Sequence, residues 1–227
     1  SLIIDQKKQP SKENMGIRSL PNLETKFVAA NTLIELEKPA GQGSLRNLEI
    51  VNLENELKEL RHQYFNARTR KDKLQFQKKD KNLRQEIASR LVDDGWDNSV
   101  AEQIVAFNPY DQNISSPFFD PEWMFGIEGG FGIVIGNPPY KQIPKGTYSE
   151  TTFPYSEGKD PGKQNLYKLF VEASVNLCAP DRVACMIVQS SLLCDLSSTY
   201  TRELLLDKTK ILNFIEFPKK SDETESQ

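Results

Sequence analysis

Apolar residues recur every three or four positions between residues 45 and 91, which is the spacing of one face of an α-helix. One stripe spans residues 53–67 and a second spans residues 76–91, with charged residues filling the positions between them. Gly95 stands where it would end the second helix. The pattern therefore predicts a helical hairpin whose turn lies near residues 70–73.

The charges on this hairpin leave its role open. Between Lys58 and Arg90 there are eleven Lys or Arg against four Asp or Glu, although the 227-residue chain has a formal net charge of −3. The stretch from Leu91 to Ile135 compensates, with eight acids and no base. The hairpin is either a solvated helical arm or an arm that grips the DNA backbone or acts as a spacer along it.

Continuous apolar runs at residues 130–136, 183–188 and 211–217 predict strands of a parallel sheet buried on both faces. Helical stripes at residues 166–177 and 200–206 lie between them. Strand, helix, strand, helix, strand is typical of a doubly wound α/β sheet, in which ligands bind at the carboxyl ends of the strands. The sequence therefore predicts an α/β fold.

Composition narrows the chemistry. Cys178, Cys185 and Cys194 lie in or beside apolar stretches, which predicts reduced core residues of a cytosolic protein. His62 is the single histidine, so no metal site is expected, and most metal hydrolases and Ser-His-Asp enzymes are excluded. No apolar run approaches the roughly 18 to 20 residues that span a bilayer. We expect a cytoplasmic protein without a membrane partner.

Directly after the first of these strands comes Asn137-Pro138-Pro139-Tyr140. The side-chain carbonyl of Asn137 and the backbone carbonyl of Pro138 can each accept a hydrogen bond from one planar amino group. The two prolines fix the turn, so that these acceptors are preorganised. Tyr140 offers a flat face on which a base rotated out of a duplex can stack. Such a site suits methylation of an amino nitrogen without a metal or a strong base.

Tyr140 has a second interpretation, as a core aromatic beneath the loop. The basic residues beyond it also have two interpretations: Lys141 and Lys145 either contact phosphate or belong to a solvated loop. Lys163 and residues 158–162 are expected in a mobile loop that becomes ordered on DNA.

The strand at residues 130–136 and the Asn137 to Tyr140 motif after it resemble the adenine-N6 DNA methyltransferases. In that family an Asn/Asp-Pro-Pro-Tyr motif follows the fourth strand of the cofactor-binding sheet. Residues 165–170 look like the Asp-Leu-Tyr helix of type II restriction-modification methylases fused to a nuclease, although Asn165 replaces the acid. Residues 178–183 look like the hairpin that follows that helix, without its glycine pair, and residues 201–205 look like its Leu-Arg-Glu helix. The resemblance covers about half of the chain.

The resemblance implies a fold, a reaction and partners. The fold would be a fragment of a Rossmann-like sheet of S-adenosylmethionine-dependent methyltransferases, with the helical hairpin inserted. The reaction would transfer methyl from S-adenosylmethionine to a flipped adenine in double-stranded DNA. The catalytic residues would be Asn137, Pro138, Pro139 and Tyr140.

A further implied contact concerns Asn31. The apolar run Lys26 to Ala30 predicts a strand that ends at Asn31. In the family, a strand ending in this way contacts the adenine of the methyl donor, so that Asn31 would bind the cofactor. The alternative is a turn residue after a strand, a position that Asn favours in any protein.

The glycine-rich loop that holds the donor in this family has no counterpart here. Residues 41–43 and 129–132 are the candidates, and neither lies between an apolar strand and a helix. We therefore expect the first strands and the donor loop before Ser1, and a target-recognition domain after Gln227. In this view the rest of a parent polypeptide is the partner, and the chain alone neither binds S-adenosylmethionine nor methylates.

The expected organisation is residues 1–34 as the start of the methyltransferase fragment, 35–105 as the helical insertion and 106–227 as the catalytic-loop half. One rival function is methylation of a protein glutamine or an RNA guanine, which the same motif serves. The basic hairpin and the Asn-Leu-Tyr helix favour DNA. A rival of another class is an interaction protein with a docking turn at residues 137–140, but such turns work from exposed, flexible tails.

Overall fold

The computed structural model describes residues 21–36 and 47–217. These residues form two compact units, which we call the helical unit (residues 21–31, 35–36 and 47–126) and the strand unit (residues 32–34 and 127–217). The expected break at residues 37–43 lies outside the described residues.

Four α-helices are formed by the described residues of the helical unit. Each begins at an Asn, Thr or Asp whose side chain accepts a hydrogen bond from the backbone of the first turn, which satisfies a donor that the helix itself cannot pair. A short 3-10 turn, Glu24–Lys26, precedes them. The helices are α1 (Leu48–Phe65), α2 (Arg70–Asp93), α3 (Asn98–Ala106) and α4 (Pro121–Phe125).

The predicted hairpin is confirmed, with its turn a few residues earlier than expected. The capping side chain of Thr69 makes Arg70 the first residue of α2, so the turn lies before residue 70. Gly95 ends α2 as predicted: its φ of 88° is in the left-handed region. The backbone N–H of Trp96 then donates to the carbonyl of Leu91 over 2.9 Å, which closes a Schellman motif.

The hairpin is not a solvated arm, because its apolar stripes form the core of the helical unit. α1 and α2 pack on each other, and α2 packs on α3. The stripes bury against α3 and against the chain that follows it up to α4. The buried apolar residues shared by these elements include Leu57, Leu60, Ile87, Leu91, Ile104, Phe118 and Met124.

A buried ion cluster joins the two long helices. Asp80 of α2 is fully buried, and its carboxylate accepts from Arg61 Nε of α1 over 2.8 Å and from Arg84 Nε over 2.7 Å. Arg61 also donates to the carbonyl of Trp123 in α4 over 2.9 Å. One carboxylate is therefore the shared counter-charge of two buried guanidinium groups, and the cluster links three helices.

Two short sheets and three α-helices lie within residues 127–217 of the strand unit. The strands β1 and β4 run parallel with α5 as the crossover between them, and Ile133 lies opposite Val183. β2 and β3 pair antiparallel, and a π-helical turn at Pro154–Lys159 lies between them. The elements are β1 (Phe131–Gly136), β2 (Gln142–Ile143), β3 (Gln164–Asn165), α5 (Leu166–Leu177), β4 (Cys178–Met186), α6 (Ser191–Cys194) and α7 (Thr199–Lys208).

The architecture is mixed α/β with a small parallel sheet, and it is compatible with a methyltransferase-like fold. The prediction that the sheet is buried on both faces was wrong, because Ile133 and Ile135 of β1 are 68% and 78% exposed. The sheet has two strands, and α5 packs on them. The third predicted strand is not formed: residues 211–217 pair with no strand of the described chain, and their apolar side chains are exposed.

Two smaller predictions also change. The expected strand at residues 26–30 is reduced to one bridge, in which Ser116 N–H donates to the Ala29 carbonyl over 2.8 Å. The cysteines are free thiols, as predicted, but not core residues. Cys185 and Cys194 are exposed, and Cys178 is half-buried.

Candidate active site

The Asn-Pro-Pro-Tyr loop lies where the sequence places it, directly after β1. Pro138 is buried, whereas Asn137 and Pro139 are exposed, and Tyr140 is 45% exposed. The loop therefore anchors itself through one proline and presents an amide side chain and an aromatic ring to solvent. Both groups are accessible to a ligand at the carboxyl end of a parallel strand, where α/β proteins bind ligands.

Backbone hydrogen bonds tie down both ends of the loop. At its start, the N–H of Ile187 donates to the carbonyl of Gly136 over 2.9 Å; at its end, the N–H of Leu166 donates to the carbonyl of Lys141 over 2.9 Å. The first bond comes from the residue after β4 and the second from the start of α5. With two prolines between these bonds, few backbone torsions stay free, so the loop is preorganised.

Tyr140 is not a core aromatic, because nearly half of it is exposed. It is nevertheless fixed at both its hydroxyl and its ring. The hydroxyl donates to the carbonyl of Ile187 over 3.0 Å, and the ring makes a T-shaped contact with Tyr167 at 6.2 Å between centroids. An ordered aromatic ring is therefore partly exposed at the surface.

Tyr167 is a site residue that the sequence prediction did not assign. It is 2% exposed, and its backbone N–H donates to the side chain of Asn165, which caps α5. Its hydroxyl lies within hydrogen-bond distance of Ser191 Oγ and Ser198 Oγ, at 3.3 and 3.4 Å. The signal was present in the Asn-Leu-Tyr motif, but the motif alone does not show that its tyrosine meets Tyr140.

The stretch beyond the loop is built around buried acids, whereas residues 161–163 are exposed, and a mobile loop there that becomes ordered on DNA stays a prediction. Glu157 is fully buried and accepts from Gly146 N–H and, over 2.7 Å, from Gln164 Nε2. Glu172 of α5 is 1% exposed and accepts from Ser156 N–H over 2.7 Å. These bonds hold the π-helical turn against α5 and β3.

Asp160 and Lys168 continue this network to α7. Asp160 Oδ1 accepts from the backbone N–H of Tyr200 over 2.7 Å, so a residue distant in sequence caps α7. Lys168 Nζ lies 3.8 Å from Asp160 Oδ2. Burial of the Lys168 ammonium group lowers the pKa of Lys168, and the nearby Asp160 carboxylate partly opposes this fall. Lys145 Nζ donates to the Asp160 carbonyl over 2.8 Å, which gives this lysine a structural role.

Asn31 belongs to the helical unit, so the structure does not place it in the same unit as the Asn-Pro-Pro-Tyr loop. Its backbone N–H donates to the carbonyl of Ser116 over 3.0 Å, in the short bridge that replaces the predicted strand. Asn31 thus lies directly after an extended residue. This position is compatible with both interpretations of Asn31, as a cofactor contact and as a turn residue.

A cradle for the methyl donor is not formed by the described glycines. Gly130 has a φ of 97°, and a Cβ there would lie 2.8 Å from the backbone nitrogen of Ala179. The absence of a side chain at Gly130 therefore lets the backbone just before β1 pack closely on the backbone of Ala179 in β4. Gly130 does not lie in a loop between a strand and a helix, where the family binds its donor. Residues 41–43 lie outside the described chain. The donor loop of this family is therefore not formed at residues 129–132.

A rigid turn with an exposed amide and an exposed aromatic ring, placed at the carboxyl end of a parallel strand, is the kind of place where α/β proteins bind ligands. The family model named Eco57I restriction-modification methylase matches residues 22–222. The chain belongs to this family of restriction-modification methylases, and its role is that of a DNA methyltransferase. No curated protein and no solved structure matches it.

Membrane-spanning helices and metal-binding clusters are absent from residues 21–36 and 47–217. No helix in these ranges is long and apolar enough to cross a membrane. No group of three or more His, Cys, Asp or Glu in the same ranges could hold a metal ion.

Proposed function

We propose that this chain carries the target-base site of a DNA adenine-N6 methyltransferase in a type II restriction-modification system, with S-adenosylmethionine as the methyl donor. The observation that carries the proposal is the loop at residues 137–140. Asn137 and Tyr140 are both exposed on a loop whose two ends are tied by backbone hydrogen bonds. Family membership supports DNA as the substrate.

The residues of the loop would act on the exocyclic amino group of an extruded adenine. Asn137 Oδ1 and the Pro138 carbonyl would each accept one of its two hydrogens. Two acceptors on the same side draw the nitrogen towards pyramidal geometry and expose its lone pair. A bound donor would supply the methyl group: the N–C bond would form as the C–S bond breaks, the sulfide would leave as S-adenosylhomocysteine, and the amino nitrogen would lose one proton to solvent. Tyr140 would stack on the base, a contact worth about 1 to 3 kcal/mol.

Adenine carries the amino group that this site needs, and so do a glutamine side chain and guanine. DNA adenine is favoured because the match extends over residues 22–222, most of the chain, to a family of restriction-modification methylases. A docking turn would need a flexible peptide, whereas Tyr140 is held at its hydroxyl and its ring. We therefore favour an enzyme that acts on DNA over a methyltransferase for protein or RNA and over a docking protein.

A methyl-transfer assay tests the proposal, using the chain alone and within its full-length gene product. Radiolabelled S-adenosylmethionine is offered with duplexes that contain adenine, duplexes in which adenine is already N6-methylated, RNA, and a glutamine peptide. We expect label only on unmodified adenine and only with the full-length gene product, because no donor loop is formed at residues 129–132 of this chain. Label on RNA or on the peptide instead would contradict the proposal.

Two variants locate the reaction at the loop. Asn137→Ala removes one of the two acceptors and is expected to lower kcat about 100-fold to 1000-fold, as does removal of one preorganised hydrogen-bond partner in other enzymes. Asn82→Ala is the matched control, because Asn82 is an exposed asparagine on α2. It should leave kcat unchanged.

A further inference from the structure

Tyr140 is held in two ways that restrict different motions. The hydrogen bond from its hydroxyl to the Ile187 carbonyl, 3.0 Å long, fixes the end of the ring and hence the direction of its long axis. A ring held only at this end can still turn about that axis. The T-shaped contact with Tyr167, with ring planes 75° apart, opposes this rotation.

Tyr167 can do this because it is itself immobilised. It is 2% exposed and packs with Leu192 in a buried cluster. Asn165 accepts from its backbone N–H, and its hydroxyl is shared between Ser191 Oγ and Ser198 Oγ. Contacts at the backbone, the ring and the hydroxyl fix the orientation of the side chain.

We propose that Tyr167 is a positioning residue that sets the plane of the Tyr140 ring, so that its exposed face is ready to stack on an extruded purine. The inference rests on the proposed function, because it takes Tyr140 as the stacking surface. A ring ordered in advance loses less rotational freedom when the base binds, and this preorganisation strengthens binding. Tyr167 acts through Tyr140 without touching the base.

The test measures the binding of 2-aminopurine, a fluorescent purine whose emission falls when it stacks on an aromatic ring. The base is placed opposite an abasic site in a duplex, so that its extrusion costs little. The 227-residue chain is titrated into this duplex, and both the Kd and the quenching at saturation are recorded. Tyr140→Leu identifies the part of the quenching that comes from Tyr140.

Two substitutions of Tyr167 separate its ring from its hydroxyl. Tyr167→Leu removes the T-shaped contact, and we expect the Kd to rise about threefold to tenfold, with at least half of the Tyr140-dependent quenching lost. Tyr167→Phe keeps the ring and should preserve both quantities within about twofold. If Tyr167→Leu does not fold, Tyr167→Met fills more of the space without a ring and carries the same expectation.

Phe153→Leu is the matched control. Phe153 is also 2% exposed, lies in the same unit, and makes a T-shaped pair with Tyr148 at 6.3 Å. Its replacement should cost similar stability but leave the Kd and the quenching unchanged. Equal losses in Phe153→Leu and Tyr167→Leu would mean that Tyr167 only supports the fold, and would overturn the proposal.

The remaining outcomes separate this inference from the proposed function. Quenching that depends on Tyr140 but not on Tyr167 overturns the positioning role alone. If the unmodified chain gives no more quenching than Tyr140→Leu, Tyr140 is not a stacking surface. Both the proposed base site and the positioning role then fall.

Discussion

The hydroxyl of Tyr140 donates a hydrogen bond to the backbone carbonyl of Ile187, 47 residues further along the chain. Ile187 follows β4, and its own N–H donates to Gly136 at the end of β1. The residue after one strand therefore holds both the start of the Asn-Pro-Pro-Tyr loop and its aromatic end. The loop depends on its own prolines and on the neighbouring strand for its shape.

Tyr140→Phe should separate the anchoring of the ring from its stacking face. Loss of the hydrogen bond to Ile187 is expected to lower the free energy of unfolding by about 0.5 to 1 kcal/mol, since water can reach this site. The Kd for the 2-aminopurine duplex should change by less than about threefold, because the ring is retained. Urea unfolding and the fluorescence titration measure the two effects. A large loss of binding would show that the hydroxyl itself contacts the base.

Gly130→Ala is expected to destabilise the strand unit strongly. The φ of 97° strains any other residue, and a Cβ would meet the backbone nitrogen of Ala179 at 2.8 Å, where no flexible side chain can move aside. We expect the free energy of unfolding to fall by at least about 2 kcal/mol, measured by urea denaturation.

Gly132→Ala is the control for this substitution. Gly132 has no positive φ, and a Cβ there would meet nothing within 4 Å. The same change two residues away should therefore cost less than about 0.5 kcal/mol. Similar losses at Gly130 and Gly132 would show that close backbone packing is not what Gly130 provides.

The sequence predicts the helices of this protein better than it predicts what packs against them. The stripes at residues 53–67 and 76–91 specify two helices because every turn places an apolar side chain on one face. They do not specify what covers that face, which is why a solvated arm and a core hairpin have the same pattern. Phe118 and Met124 supply part of the cover, from a stretch with no periodicity.

The site was also predictable only in part, because local patterns specify its position in the chain but not its tertiary partners. The position of residues 137–140 follows from the apolar strand before them, which is a local signal. The partners Tyr167 and Ile187 are brought to Tyr140 by the crossover through α5, and tertiary pairing of that kind leaves no mark in local spacing. Residues 211–217 show the opposite failure, because an apolar run makes a strand only where a neighbouring strand accepts its hydrogen bonds.

Asp80→Asn should destabilise the helical unit more than a surface substitution does. The fully buried carboxylate balances the guanidinium groups of Arg61 and Arg84, and its removal leaves two buried cations without a counter-charge. Breaking a buried pair in this way typically costs about 3 to 5 kcal/mol. The loss is measured as the change in the free energy of urea unfolding, monitored by helical circular dichroism.

The control for this cluster is an ion pair at the surface. Glu49 and Arg90 lie 3.1 Å apart with 63% and 47% of their side chains exposed, so water screens their attraction. Glu49→Gln is expected to cost less than about 1 kcal/mol. If Glu49→Gln and Asp80→Asn have equal effects, burial does not determine the strength of the Asp80 cluster.

The stability of the helical unit should fall in alkali because of Tyr110. Burial raises the pKa of Tyr110 far above its ordinary value of 10.0, and the Asp80 carboxylate raises it further. Above pH 10 an unfolded tyrosine loses its proton while folded Tyr110 keeps it, so the folded state binds more protons and the free energy of unfolding decreases as pH rises. One such group contributes up to about 1.4 kcal/mol per pH unit.

Tyr110→Phe should remove its share of this alkaline loss. Burial also raises the pKa of Tyr64, whose ring makes a T-shaped contact with Tyr110 at 4.8 Å, so a shallower decline is expected to persist in the variant. The lowered pKa of Lys168 acts in the opposite direction just below pH 10.5, but it is common to both proteins and cancels in their difference. Urea unfolding between pH 9 and 11 gives the two slopes. Identical slopes would mean that Tyr110 ionises in the folded protein as readily as in the unfolded chain.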